Sequence, residues 1–158
     1  MRIINEVDIH CSATKEGVWV DEATIEKWHS KRFKKIGGKH IGYHVLVYLD
    51  GTVVQTKGLE FIGQHVSGSN QYSIGICYIG GLDKNGKPKD TRTPEQKESL
   101  IKVLLELKRS YPNIKIKGHR DHSPDLDGDG IIEPFEFLKA CPCFDAIKEY
   151  KYIENMKL

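Results

Sequence analysis

Seven histidines (10, 29, 40, 44, 65, 119, 122) and four cysteines (11, 77, 141, 143) are the residues best suited to metal binding or nucleophilic chemistry. Two of the histidines stand at strand ends. In Ile3–Cys11, Val7 and Ile9 share one face while Glu6, Asp8 and His10 share the other. Ile114-Lys115-Ile116-Lys117 runs into Gly118-His119, and parity puts His119 with Lys115 and Lys117, off the isoleucine face. Neighbouring strands can bring such distant residues together. Cys141 or Cys143 would supply a third ligand, since thiolate and imidazole both suit zinc. Three protein ligands leave a fourth position for water, as a hydrolytic site requires. The competing chemistry is a cysteine hydrolase that uses Cys11 or Cys143 with a histidine.

A second pattern is acidic. Asp125-Leu126-Asp127-Gly128-Asp129-Gly130-Ile131-Ile132-Glu133-Pro134-Phe135-Glu136 fits the calcium-loop template D-x-[DN]-x-[DN]-G-x₅-E. Asp125, Asp127, Asp129 and Glu136 would offer carboxylates, and Ile131 its backbone carbonyl. Such crowded charge repels itself without a cation. The alternative is a solvated acidic loop without an ion, which the lack of a convincing helix before Asp125 and of a second loop to pair with favours; a bound Ca²⁺ would be structural, holding the turn that delivers Lys139 and Cys141.

The elements that must position these groups follow from 158 residues of 18.0 kDa, 39% hydrophobic and 29% charged, a globular composition. The longest apolar run, Tyr43–Leu49, falls far short of the roughly 20 residues of a membrane span. The N-terminus lacks the apolar core of a secretory signal, so the cysteines are expected as free thiols. A net charge of +2 carries no nucleic-acid signature. Asp21–Ile36 reads as a helix capped by Asp21, with Ile25, Trp28 and Ile36 inward. Tyr43–Leu49 and Thr52–Thr56 flank Asp50-Gly51 as a hairpin, and Ser73–Ile79 is a further strand. Thr93-Pro94-x-Gln96 is a capping box opening a helix that stops at Tyr111-Pro112. A short helical piece near Phe137 and a helix from about Phe144 complete a β-α-β-β-β-α-β-α order. That order predicts one α/β (α+β) domain over 1–158: a central mixed sheet flanked by helices, with the acidic insertion at 125–136.

Several motifs then fall in sequence: His10-Cys11-Ser12-Ala13-Thr14, Ile25-x-x-Trp28-His29, Ile41-Gly42-Tyr43-His44, Asp50-Gly51-Thr52-Val53 and Gly63-Gln64-His65. They continue through Asn70-x-x-Ser73-Ile74-Gly75-Ile76, Gly80-Gly81, Thr93-Pro94-x-Gln96, Gly118-His119-Arg120-Asp121 and Lys139-Ala140-Cys141-Pro142. In this order they resemble zinc-dependent N-acetylmuramoyl-L-alanine amidases of the phage-lysozyme and peptidoglycan-recognition-protein class. The resemblance implies zinc on His10, His119 and Cys141, with Cys141 matching because it lies between Lys139-Ala140 and Pro142. It places the catalytic tyrosine on Tyr43, the catalytic lysine on Lys139, and substrate contacts on His65 and Asn70. Asp121 would orient His119 or brace its loop.

The implied reaction is hydrolysis of the amide joining N-acetylmuramic acid to L-alanine in peptidoglycan. The expected setting is a monomeric phage or prophage endolysin that accumulates in the cytoplasm and reaches the wall after release, without nucleic-acid or membrane partners. A non-catalytic peptidoglycan-binding module of the same fold is the alternative. Retention of Cys141 beside the two histidines argues for the enzyme.

Overall fold

The computed structural model describes residues 1–158. Its elements are β1 (Glu6–Cys11), β2 (Thr14–Lys15), α1 (Glu22–His29), β3 (Val45–Val47), β4 (Val53–Gln55), β5 (Ser73–Tyr78), β6 (Gly81–Leu82), α2 (Pro94–Ser110), β7 (Lys115–Gly118) and α3 (Ala146–Glu154). Two 3₁₀ turns, His119–His122 and Pro134–Glu136, lie between β7 and α3. β1 runs inside a five-stranded mixed sheet of order β4-β3-β5-β1-β7. It pairs in parallel with β5, from Glu6↔Ser73 to Cys11↔Tyr78, and with β7, from Glu6↔Lys115 to Ile9↔Gly118. β3 is parallel to β5 and antiparallel to β4.

The alternation in β1 decides which layer each residue joins. Val7, Ile9 and Cys11 enter the main core with Ile74, Ile76 and Tyr78 of β5 and Ile116 of β7. Leu100, Leu104 and Leu107 of α2 and Ala146, Tyr150 and Ile153 of α3 close over them. Each such Leu or Ile contributes ~1.5–3 kcal/mol relative to exposure. Across the sheet, Leu46 and Cys77 meet Ile25 of α1 in a smaller cluster. Glu6, Asp8 and His10 face that side too, and all three are buried.

α2 starts as its sequence predicts: Gln96 N–H donates to Thr93 Oγ1 (3.1 Å), and Thr93 N–H donates to Gln96 Oε1 (3.0 Å). Gln96 also donates its side-chain amide to the carbonyls of Val47 (3.2 Å) and Ile79 (2.9 Å), tying the helix start to the sheet.

Several boundaries differ from expectation. α1 ends at His29 rather than Ile36, because Lys31, Arg32, Lys34 and Lys35 would place like charges three and four residues apart on a continued helix. Ile25 is inward, whereas Trp28 is 45% exposed and Ile36 joins a small bridge to Lys39. The hairpin strands have three residues each; Gly51 N–H donates to Tyr48 C=O, and Gly51 takes φ +87°, which suits its lack of Cβ. The β2–β6 ladder leaves no trace in the sequence pattern, since two-residue strands carry no periodicity. α3 starts at Ala146, capped by Asp145, rather than at Phe144.

Candidate metal centre and active site

Three segments meet above the polar face of β1. His10 is the penultimate residue of that strand, His119 opens the 3₁₀ turn after β7, and Cys141 follows the acidic loop. Their ligand atoms lie within 4.8 Å of one another. His119 is no longer on a strand, yet it arrives on the predicted side because the turn folds back over β1. Burial, then the fields of His65 and His119, hold the His10 imidazole well below its usual range. Burial and the Lys139 charge bring His119 down to about 4. Both rings are thus neutral, the form that ligates a metal. Cys141 Sγ accepts the Cys11 N–H (3.2 Å).

Cys143 does not join them. Its sulfur lies 3.9 Å from Cys11 Sγ and 3.2 Å from the Gly81 carbonyl oxygen. The hydrogen bond with Cys141, then burial, pushes Cys11 up to about 12; contact with Cys11 and burial push Cys143 up as well. Neither sulfur is an activated thiolate, so the cysteine-hydrolase alternative lacks its nucleophile.

The Tyr43 ring lies 5.0 Å from that of His10, and burial raises its hydroxyl well above the usual range, so it keeps its proton. Lys139 is exposed at the mouth of the same cleft of about 310 Å³, which His10, His119, Cys141 and Tyr43 also line. A wider adjoining cleft of about 500 Å³ is bordered by His65, Asn70, Arg32 and Lys139, with no carboxylate among its lining residues.

His65 does more than border that cleft, since its Nδ1 lies 2.9 Å from His10 Nε2. The Asn70 side-chain oxygen is engaged inside the loop, accepting the N–H groups of His65 and Val66 (both 2.9 Å). Asp121 Oδ2 accepts the Gly118 N–H (2.7 Å), so it braces the turn rather than the His119 ring. His44 accepts the Gly75 N–H at Nδ1 (3.1 Å) and sets Nε2 2.8 Å from the Phe61 carbonyl.

His122 belongs to no local sequence motif. Its Nε2 lies 2.6 Å from Asp8 Oδ1 and 3.1 Å from Glu6 Oε1, and hydrogen bonding to these carboxylates raises it to about 9. The only sequence signal was parity, which puts Glu6 and Asp8 on the His10 face.

In the acidic loop, Asp125 accepts the N–H groups of Gly128 and Gly130 (both 2.7 Å), and Asp129 accepts that of Ile131 (2.8 Å). Glu136, buried at the second 3₁₀ turn, accepts from Leu126 (2.7 Å) and Glu133 (2.8 Å). Carboxylate oxygens of Asp125, Asp127 and Glu136 converge, as do those of Asp127, Asp129 and Glu133.

A model of the N-acetylmuramoyl-L-alanine amidase family matches residues 2–130. The chain belongs to that family. Hydrolysis of the N-acetylmuramoyl–L-alanine amide of peptidoglycan is accordingly its reaction. The endolysin of Enterobacteria phage K11 is 38% identical over 137 residues, 87% of this chain and 79% of that protein. The endolysin of Escherichia phage T7 is 35% identical over the same shares. The N-acetylmuramoyl-L-alanine amidase LysC from Clostridium intestinale superposes with a TM-score of 0.69 at 25% identity, covering 98% of this chain and 87% of that one. Lys139 and Cys141 lie beyond the family match, and the fold itself carries them to His10 and His119.

Proposed function

We propose that this amidase uses a single zinc ion held by His10, His119 and Cys141 and serves as a phage-type endolysin, released to the wall after cytoplasmic accumulation. The convergence of two neutral imidazoles and one thiol within 4.8 Å carries the zinc reading, and it is a donor set that zinc favours. When bound, zinc supplies a Lewis acid that activates water and polarises the scissile carbonyl.

The chain's own residues do the rest. Tyr43 retains its proton and donates a hydrogen bond towards the oxygen that gains charge during attack. The Lys139 ammonium, two residues from Cys141 and open to the cleft, stabilises the same charge. The wider cleft takes the glycopeptide on either side of the amide, with His65 and Asn70 at its wall. For the loop at 125–136 the reading is a structural Ca²⁺ on Asp125, Asp127, Asp129, Glu136 and the Ile131 carbonyl, supported by the template and the converging carboxylates.

Digestion of purified peptidoglycan, with products read by mass spectrometry, tests the reaction and its metal together. Free stem peptides with an N-terminal L-Ala are expected from zinc-loaded protein. They should vanish after stripping and return with Zn²⁺. Release of disaccharides, or full activity without metal, would refute the reading.

A further inference from the structure

Asp8 and His10 lie on one face of β1, two residues and roughly 6.6 Å apart at ~3.3 Å per residue. His119 and His122 are three residues apart in a 3₁₀ turn, where such side chains eclipse and the rise is about 6 Å. The two repeats match. β7 ends with Gly118 beside Ile9, and the turn then runs back over β1, so the side chains meet as two rungs. The rings of His10 and His119 have centroids 4.7 Å apart, and Asp8 Oδ1 lies 2.6 Å from His122 Nε2.

We propose that the Asp8–His122 pair is a positioning strut that fixes the separation of His10 and His119. Asp8 is fully buried, and Glu6 puts a second carboxylate oxygen 3.1 Å from the same nitrogen. Lys117 lies 3.1 Å from the other Glu6 oxygen, so the two carboxylates are held between the His122 ring and the Lys117 ammonium. On its far side, His122 Nδ1 lies 3.3 Å from Ser69 Oγ. Asp121 holds the front of the turn at Gly118, which leaves the strut to hold its back. Neither Asp8 nor His122 belongs to the proposed ligand set; both act through the histidines beside them. The inference rests on the zinc reading above.

The test is the Zn²⁺ dissociation constant of the stripped full-length chain, measured by competition with a chromogenic chelator. Removing one partner would strand a buried charge, so the main variant replaces both: Asp8→Leu/His122→Phe. A second, Asp8→Asn, keeps the shape and weakens the pairing. Circular dichroism confirms folding. The double variant is expected to bind zinc about 10–100-fold more weakly, as losses of support behind metal ligands typically do. Its Co²⁺-substituted form should show altered visible bands, and Asp8→Asn should fall between it and wild type.

Wild-type Zn²⁺ affinity and Co²⁺ spectrum in a folded double variant, or in Asp8→Asn should the double variant not fold, would overturn the strut alone. No zinc uptake by the wild-type chain would overturn the zinc reading and the strut with it. A second zinc equivalent in wild type, lost from the double variant while the first binds normally, would show a separate metal site instead of a strut.

Discussion

His65 lies over Gly75, and the hydrogen in place of a side chain there leaves its ring room to reach His10. An ideal Cβ at Gly75 would lie 2.7 Å from two atoms of the His65 ring, closer than real packing allows. The glycine in the middle of β5 is therefore part of the support behind His10, a proposed zinc ligand.

Gly75→Ala should displace His65 from His10 while the sheet stays paired. Overpacking of this kind costs ~1–3 kcal/mol. A turnover loss of at least about tenfold is expected in kcat on peptidoglycan, with circular dichroism unchanged. Wild-type kcat would mean that the His65–His10 contact is dispensable.

Tyr43→Phe and Lys139→Ala should each retain one zinc per chain by elemental analysis yet lose ~10²–10³ in kcat. Loss of zinc along with activity would place them in metal binding instead of transition-state stabilisation.

Acid should weaken the zinc-free fold through His44. Burial brings this histidine to about 4, against 6.5 when free, and its Nδ1 is committed to accepting the Gly75 N–H. Between those values the unfolded chain binds the extra proton, so its stability contribution is full above about 6.5 and falls as pH drops towards 4, by up to about 1.4 kcal/mol per pH unit. His122, raised to about 9, has the opposite sign: its contribution is full below 6.5 and lost as pH rises through 9. Urea unfolding of stripped protein from pH 4.5 to 9.5 should therefore show stability falling on both sides of neutrality, and His44→Gln should reduce the slope of the acidic limb without abolishing it, since burial also lowers His10, His29, His65 and His119.

Arg92→Met should destabilise without touching the metal. Its side chain is 1% exposed, donates to Asp90 (2.8 Å), Glu149 (2.9 Å) and the Tyr150 hydroxyl (2.9 Å), and covers the Phe144 ring. Breaking a fully buried pair costs 3–5 kcal/mol, and the partial exposure of both carboxylates lowers the expectation to about 2–4 kcal/mol. Denaturant unfolding measures the cost, and zinc affinity should hold.

Calcium titration of the zinc-loaded chain by calorimetry should show one binding event, absent from Asp127→Asn/Asp129→Asn. No heat in the wild-type chain would leave the loop as solvated acidic residues.

The sheet and its polar face were legible in the sequence because β1 alternates cleanly and α2 carries a complete capping box. The cluster proposed to hold zinc was legible only in part: parity marked His10 and His119, while preferring Cys141 over Cys143 rested on the flanking motif. His122 escaped because Asp8, its partner, lies 114 residues away and no local pattern joins them. The end of α1 at His29 is hidden in the sequence because the apolar spacing continues through Ile36, across a basic run that does not stay helical. Trp28, within α1 itself, turns towards the cleft rather than the core, an orientation that apolar spacing does not distinguish.

Cys11 and Cys141, joined by one hydrogen bond, are separated by 130 positions of chain. A nascent polypeptide halted before Cys141 cannot complete the cluster, however well its earlier strands have paired. Assembly of the proposed zinc cluster, and with it hydrolysis, therefore waits until Cys141 has emerged and folded back onto β1, and a cleavage that releases the segment carrying Cys141 should abolish both.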